Sequence, residues 1–478
     1  MTWPNVLVLD YMKSTNQLTP EIEMKAQQYI NLGYQRLLTF ECQGGGFDWY
    51  GKGPAKPILT AYGLMEFSDM ARVHFVDPAL ISRTQQWLAG KQKSDGSWPP
   101  DDRDLFNALN NTLQATAYAT WAMIHSGYAA NSMTIKSGQN YIRGQIKSTT
   151  DTYTLALCAN ALLEGDPRDV DGLAILDQIE ERKIEEGDTV HWTSAEKESL
   201  TYSKGDYLDL ETTAMIAYAL IKAQWRYPNT IDKVLNYLFQ KKDAFGLWGQ
   251  VEATVLSLRV MIMAMSGQKG AMNGEISITI NGQTLDKDDL PILKVKPVDS
   301  RIVRIINLAP YTVEGDNTVS LSLSGEGSLI YQITGTYYLP WKKVELTPSV
   351  PPLSIDLDYD KKSLTVDDTI LCTVTVRNNQ SNTVTRMGMV DLGIPPGFSV
   401  LYEDFDQAIE KGKIVKYEST NRQLTLYLNP VSYDKPVSIP YRLKAKYPLK
   451  VSTPKSTAYD YYNPDIKDEA EPVVLTVY

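Results

Sequence analysis

Gln85-Gln86-Trp87-Leu88-Ala89-Gly90-Lys91-Gln92-Lys93-Ser94-Asp95-Gly96-Ser97-Trp98 is the stretch from which the architecture is read. Trp87-Leu88 lie on the apolar side of a helix, and Asp95-Gly96 make a tight turn that Trp98 closes. Gly96 supplies the backbone freedom that such a turn needs, and Trp98 is placed to fold back over the helix end. Weaker versions follow the same plan at Gly45-Gly46-Phe47-Asp48-Trp49, Val190-His191-Trp192 and Phe245-Gly246-Leu247-Trp248-Gly249. Their spacing of about 50 residues is the length of one helix pair in a repeat array.

Outward from these turns, residues 1–266 keep a helical period. Thr19-Pro20-Glu21 is a helix start, with Thr as N-cap, Pro at the first position and acids in the first turn. The helix it opens places Ile22, Ala26, Tyr29, Ile30, Gly33 and Leu37 on one face. One set of segments is Ala-rich and apolar on several sides: 59–70, 112–124, 153–163, 212–223 and 253–264. These share Thr60-Ala61-Tyr62, Thr116-Ala117-Tyr118 and Ala217-Tyr218-Ala219, and helices apolar all round are inner helices. Between them lie segments with a single apolar face: 78–90, 133–146, 170–184 and 230–241. Alternation of inner and outer helices predicts a closed double ring, an α/α toroid; an open solenoid is the alternative.

After Gly267 the period changes to two. Ile276-Ser277-Ile278-Thr279-Ile280 leads into Asn281-Gly282, a strong hairpin signal. Strands are also expected at 302–307, 318–323 and 329–338, and the next boundary is punctuated by Pro340-Trp341 and 348–352. Strands at 353–359, 370–376, 387–392, 423–428, 437–446 and 473–477 suit a β-sandwich, with a helix from Tyr402 to Lys411. The division predicted is 1–266, 267–345 and 346–478.

Composition narrows the function classes. The 478 residues suggest two or three domains. A net charge of −10 argues against nucleic-acid binding, which needs clustered Lys and Arg. The longest apolar run, Val255 to Met265, is broken by Ser257 and Arg259, too short to span a membrane. Met1-Thr2-Trp3-Pro4 is not a secretory leader, which points to a cytoplasmic protein or to a piece of a longer chain. Cys42, Cys158 and Cys372 form no disulfide framework, and with His74, His125 and His191 scattered no zinc site is expected.

The residues carry little catalytic chemistry. Gln92-Lys93-Ser94-Asp95-Gly96-Ser97-Trp98 resembles the glutamine-tryptophan repeats of terpene cyclases, and protein prenyltransferases use a similar toroid. A cyclase needs a strong carboxylic acid in an acidic cluster. The one dense cluster near a repeat, Asp101-Asp102-Arg103-Asp104, follows Pro99-Pro100 and reads as a solvated loop. No Gly-x-Ser-x-Gly nucleophile elbow occurs. Gly44-Gly45-Gly46 is followed by Phe47 rather than Lys-Ser/Thr, so it reads as a helix-ending turn rather than an anion cradle. Cys42 beside it reads as a structural thiol.

A longer likeness decides between these readings. Pro4-Asn5-Val6-Leu7-Val8-Leu9-Asp10-Tyr11-Met12, Gln17-Leu18-Thr19-Pro20-Glu21-Ile22, Lys25-Ala26 and Gly33-Tyr34-Gln35-Arg36 resemble the thioester domain of the α2-macroglobulin and complement family. Trp87-Leu88, Gln92-Lys93, Asp95-Gly96 and Val190-His191-Trp192 continue the match. Ala458-Tyr459-Asp460-Tyr461-Tyr462 resembles the end of that family's receptor-binding domain. The resemblance implies a thioester-type toroid, the returning half of a CUB-like β-domain at 267–345, and a receptor-binding-type sandwich.

It also implies protease trapping or defence. In the family a Gly-Cys-Gly-Glu-Gln segment forms an internal thioester, a shielded acyl group released by conformational change. That motif would precede the segment matching Met1, and none of the three cysteines lies in a matching context. The expectation is a chain that does not form the thioester from its own residues. Leu105-Phe106-Asn107-Ala108-Leu109 stands where some complement proteins carry a catalytic His. The paired lysines of the vertebrate receptor-binding helix have no counterpart near Tyr402 and Asp406.

The resulting expectation is the C-terminal region of a broad-range endopeptidase inhibitor or defence protein, not an enzyme. No catalytic, metal or cofactor-binding residues are assigned and no cofactor is expected. The partners implied are the upstream macroglobulin domains and target proteases, without nucleic acid or a membrane span, in an extracellular or periplasmic setting. The alternatives are a toroid enzyme of the cyclase or prenyltransferase type and a standalone interaction module.

Overall fold

The computed structural model describes residues 2–15, 18–98, 100, 111–242, 247–267, 273–285, 294–295, 306–326, 331, 333, 335, 350–381, 384–385, 387–420, 423–433, 435–461 and 463–478. They divide into two compact units, split between residues 336 and 337.

The first unit opens with eleven described helices: α1 Thr2–Ser14, α2 Pro20–Leu38, α3 Pro57–Met70, α4 Pro78–Ala89, α5 Thr112–His125, α6 Met133–Gln145, α7 Thr152–Leu163, α8 Val170–Glu180, α9 Asp206–Lys222, α10 Pro228–Gln240 and α11 Val251–Gly267. The odd-numbered helices make the inner ring. α1 packs on α3, α3 on α5, α5 on α7, α7 on α9 and α9 on α11, and α11 returns to α1. α2, α4, α6, α8 and α10 each pack outside the inner helix that precedes them. The ring closes, so the toroid holds and the open solenoid does not.

Burial follows the sequence pattern. Every residue of α7 is buried, as an inner helix requires. α10 buries only Thr230, Ile231, Val234, Leu235 and Leu238, one face at helical spacing. The polar side chains of Thr19, Asp77, Asn111, Ser132, Asp151 and Asp169 accept backbone N–H groups at the starts of α2 and α4 to α8.

Four details differ from expectation. α1 is a sixth inner helix that the periodicity did not announce; Pro4 sits in its first turn, where the missing N–H has no helical partner in any case. α2 buries Ile30, while Ile22 and Tyr29 are 41% and 51% exposed, because this helix packs chiefly on α1. α8 stops at Glu180, and Ile184–Glu186 turns through Gly187 (φ +61°) to pair with Thr189–His191. α9 starts at Asp206 rather than 212.

Beyond the ring, Asn273–Ile280 pairs antiparallel with Gln283–Thr284 across Asn281 and Gly282, both at positive φ, which is the expected hairpin. It also pairs with Val319–Glu326 and Lys294–Val295. Ile276, Ile278, Ile280 and Leu285 form a small separate core. The expected strand at 302–307 is described only at 306–307, where it is not extended sheet, and most of 329–338, with Pro340-Trp341, lies outside the described residues.

The second unit is a β-sandwich. One sheet runs Ile414–Ser419, Gln423–Leu428, Gly388–Gly393, Ser456–Asp460, Asn463–Ala470; the other runs Phe398–Val400, Val437–Ala445, Thr369–Asn378, Leu353–Tyr359. The alternating burial of Thr369–Asn378 marks the face that meets the core. The expected helix forms at Glu403–Glu410 (α12) and lays Phe405 and Ala408 into that core.

Candidate functional site

The recurring Trp turns are fasteners between consecutive helix pairs. The Trp98 indole donates to Leu88 O at the end of α4 (2.7 Å), and its backbone N–H donates to Thr116 Oγ1 of α5 (3.0 Å). Trp192 repeats this with Ile179 O (2.8 Å) and Thr213 Oγ1 (3.1 Å). Trp248 repeats it with Leu238 O (2.7 Å) and Thr254 Oγ1 (3.0 Å). Phe47 makes the backbone half, to Thr60 Oγ1 (2.9 Å). The equivalent positions are therefore Thr60, Thr116, Thr213 and Thr254; Ala217-Tyr218-Ala219 lies one turn further along α9. At the α6–α7 joint Asp151 acts instead, accepting from Thr154 N (2.8 Å), Ser194 Oγ (2.7 Å) and Ala195 N (2.9 Å).

A buried charged network ties the inner ring together, and sequence reasoning missed it. His125, the last residue of α5, places Nε2 2.9 Å from Asp69 Oδ1 of α3 and Nδ1 3.0 Å from Glu164 Oε1 at the end of α7. Asp69 Oδ2 accepts from the Trp3 indole of α1 (2.8 Å) and pairs with Arg259 of α11. Glu164 Oε2 accepts from the Tyr218 hydroxyl (3.0 Å) and meets Lys222 Nζ (3.1 Å), both on α9. The Arg259 guanidinium also lies 5.0 Å from the Trp3 ring centroid. All six inner helices contribute, and the side chains of Asp69, Glu164 and His125 are 3%, 6% and 7% exposed.

The electrostatics follow from this geometry. Burial alone would raise the Asp69 carboxyl, but Arg259, His125 and the Trp3 indole outweigh it and hold it well below the usual carboxylate range. Burial likewise opposes ionisation of Glu164, yet the bond to His125 and the Lys222 charge bring it down to about 2. Glu66, one turn before Asp69, is pushed up to about 7 by burial, with Asp69 adding. Asp69 and Arg259 lie as polar residues within apolar segments, and His125 just beyond the segment 112–124. The spacing between them gave no sign that the ring would bring them together.

The other singled-out residues do not join this site. Cys42 lies in a turn where Glu41 bridges Phe47 and Cys42 N–H donates to Gly46 O (2.7 Å), so Gly44-Gly45-Gly46 closes a small hairpin rather than a helix end. Burial and the Asp48 charge raise the Cys42 thiol, and burial raises Cys158 and brings Cys372 up to about 12. All three cysteines are free. Asp101-Asp102-Arg103-Asp104 and Leu105-Phe106-Asn107-Ala108-Leu109 lie outside the described residues. Asp406 accepts from the Tyr417 hydroxyl (3.0 Å), and Tyr402 stacks on Tyr417. Among the described residues, no His, Cys, Asp or Glu group is arranged to hold a metal, and no helix is long and apolar enough to cross a membrane.

The A-macroglobulin TED domain model matches residues 1–262, and the A-macroglobulin receptor binding domain model matches residues 383–472. Ovostatin of Gallus gallus is 22% identical over 476 residues, covering 96% of this chain and 31% of its own length. The chain thus spans under a third of that relative. A crystal structure of Salmonella alpha-2-macroglobulin reacted with methylamine superposes with a TM-score of 0.65 at 16% identity, covering 100% of this chain and 29% of that one. Native alpha-2-macroglobulin from Escherichia coli, spanning domain MG7 to the C-terminus, gives 0.64 at 15% identity, covering 99% and 72%. At such identities the structural likeness is one of fold. The TED match alone takes in more than half of the residues, and by it this chain belongs to the α2-macroglobulin family.

Proposed function

We propose that the chain serves as the C-terminal region of an α2-macroglobulin-like inhibitor of endopeptidases, a non-enzymatic scaffold. One observation carries this reading: both family models match in one chain and in order, and the likeness to ovostatin runs almost from end to end. The scaffold divides at 1–266, 267–345 and 346–478 into a thioester-type toroid, the C-terminal half of a CUB-like β-domain and a receptor-binding-type sandwich. Its partners are upstream macroglobulin domains and target proteases, and its setting is extracellular or periplasmic. The raised thiols of Cys42, Cys158 and Cys372 fit a scaffold.

The test uses the protein as it occurs in its source cells. It is incubated with a serine endopeptidase, and cleavage of a large protein substrate is compared with cleavage of a small peptide. The expected result is suppressed cleavage of the large substrate, continued cleavage of the small one, and co-elution of the endopeptidase. Unchanged cleavage of both, with no co-elution, would overturn the proposal.

A further inference from the structure

Among the described residues, five outer helices serve six inner ones. α6, α8 and α10 each lie over two inner neighbours: α6 on α5 and α7, α8 on α7 and α9, α10 on α9 and α11. No described helix lies in this way over the groove between α11 and α1. Burial records the difference. Every residue of α7 is buried. In α11, Leu258, Ile262 and Met265, spaced by four and three, are only half-buried. On α1, Val8 is 40% exposed and Met12, one turn further, is half-buried.

α2 borders this groove. A Cβ on its Gly33 would run into the Thr2 side chain of α1, and Gln27, on the opposite flank, donates to Val73 O beyond α3 (2.8 Å). The stripe left on the groove side is Ile22, Lys25, Tyr29, Leu32 and Arg36. Its spacing of i, i+3, i+7, i+10 and i+14 is the seam by which one helix meets another. Ile22, Tyr29 and Leu32 are 41%, 51% and 57% exposed, and Lys25 and Arg36 are exposed beside them. Large apolar side chains gathered in one exposed line mark a contact surface.

Charge narrows the occupant. The seam itself carries two cations and no carboxylate; Glu21 only borders its first turn. Arg36 also lies over the Phe40 ring, 5.8 Å from its centroid. An antiparallel second copy centred on Tyr29 and Leu32 sets Lys25 against Arg36, and a parallel copy sets each cation against itself. Like charges so placed disfavour self-pairing. We propose that the groove between α11 and α1, edged by α2, is the docking site of an amphipathic helix from a partner, apolar along its seam and carboxylate-bearing on its flanks. Such a helix takes the sixth outer place, covers Ile22, Tyr29 and Leu32, and sets its carboxylates against Lys25 and Arg36.

The test uses the full chain and two synthetic helices of about 18 residues, long enough to hold helical structure. Both have Leu along one seam; one carries Glu on its flanks and the other Lys. Binding is read by fluorescence anisotropy and located by amide hydrogen exchange. The expected result is saturable binding of the Glu helix, at least about tenfold tighter than that of the Lys helix and weakened by salt. Protection rises along α1, α2 and α11 and not along α6. Tyr29→Ser and Leu32→Ser each weaken binding, Lys25→Glu reverses the preference between the two helices, and Met24→Ser, exposed on another face of α2, changes nothing. All four positions are exposed, and melting curves check that each variant is folded. Absence of saturable binding, equal affinity for the two helices, or binding indifferent to Tyr29→Ser and Leu32→Ser would overturn the proposal. So would sedimentation showing a dimer of the chain that Leu32→Ser dissociates, since the occupant would then be a second copy.

Discussion

The Trp98 indole nitrogen and the Leu88 carbonyl oxygen are 2.7 Å apart, and that bond ends one helix while starting the approach to the next. Leu88 O lies in the last turn of α4 and also accepts the Lys91 N–H (3.1 Å). Because Trp98 is fully buried, Trp98→Ala is expected to lower stability by roughly 3–5 kcal/mol. Trp98→Phe keeps much of the packing and loses the indole bond, a deficit of about 0.5–1.5 kcal/mol. Urea unfolding of the two variants checks both values; a Trp98→Ala effect near zero would mean the indole is not a fastener.

The threonine halves of the fasteners can be probed separately. Thr116→Val and Thr213→Val preserve shape while leaving the buried N–H of Trp98 or Trp192 unbonded. Each is expected to destabilise by about 1–3 kcal/mol. The two sites are far apart along the ring, so the double variant should show the sum of the single effects to within about 0.5 kcal/mol. A marked departure from additivity in unfolding experiments would show the turns act as one unit.

Gly96 holds φ at +89°, and a Cβ there would come within 2.3 Å of Ser137 O. Gly96→Ala is therefore expected to cost more than the ~1 kcal/mol of an ordinary backbone mismatch, because strain and clash act together. Gly127 also has positive φ, but a Cβ there meets nothing within 4 Å, so Gly127→Ala should be the milder of the two. Their melting temperatures, measured side by side, test the ranking.

Arg259 and Asp69 form a buried pair across the seam of the ring. Arg259→Met leaves Asp69 without its strongest charge partner and is expected to destabilise by about 3–5 kcal/mol. Adding Asp69→Asn should recover part of that loss, since the uncompensated charge is gone. Chemical denaturation of the single and double variants checks the order; a double variant weaker than Arg259→Met would contradict it.

Glu66 gives a pH dependence of known sign. Burial pushes its carboxyl from the ordinary 4.5 up to about 7, so the native state keeps a proton that the unfolded chain releases. Its contribution is full below 4.5 and is lost as pH rises to about 7. Glu164, held at about 2, works the opposite way, with a contribution present above the ordinary 4.5 and lost as acid approaches 2. Glu66→Gln should flatten the decline on the alkaline side and leave the acid limb unchanged, as read from melting temperature against pH.

The sequence was most legible where function of position is local. Ala-rich inner segments and one-faced outer segments announced the alternation, and Asn281-Gly282 announced its hairpin. α1 was unreadable by period because its apolar residues Trp3, Val6, Leu7, Leu9 and Tyr11 lie on both sides of Pro4 in a short segment. In α2 the marked apolar face is only partly covered: Ile30 is buried and Ala26 and Leu37 pack against the core, while Ile22 and Tyr29 stay exposed. The strands 398–400, 414–419 and 449–452 were too short or too mixed in character to stand out. The Asp69–His125–Glu164–Arg259 site was not legible, because its members come from four separate inner helices and no local spacing links them.

The return of the last inner helix to the first sets an order of events. Of the eleven helices α1 is made first, yet one of its two inner neighbours, α11, is made last. Until then Trp3 lacks the Arg259 guanidinium, and one flank of α1 remains uncovered. Closing so large a loop is slow compared with pairing adjacent helices. Until α11 returns, the helices form an open arc whose two ends can meet each other or the ends of a second copy. Closure within one chain is favoured when synthesis is dilute, and the seam between α1 and α11 is where domain exchange between copies would begin.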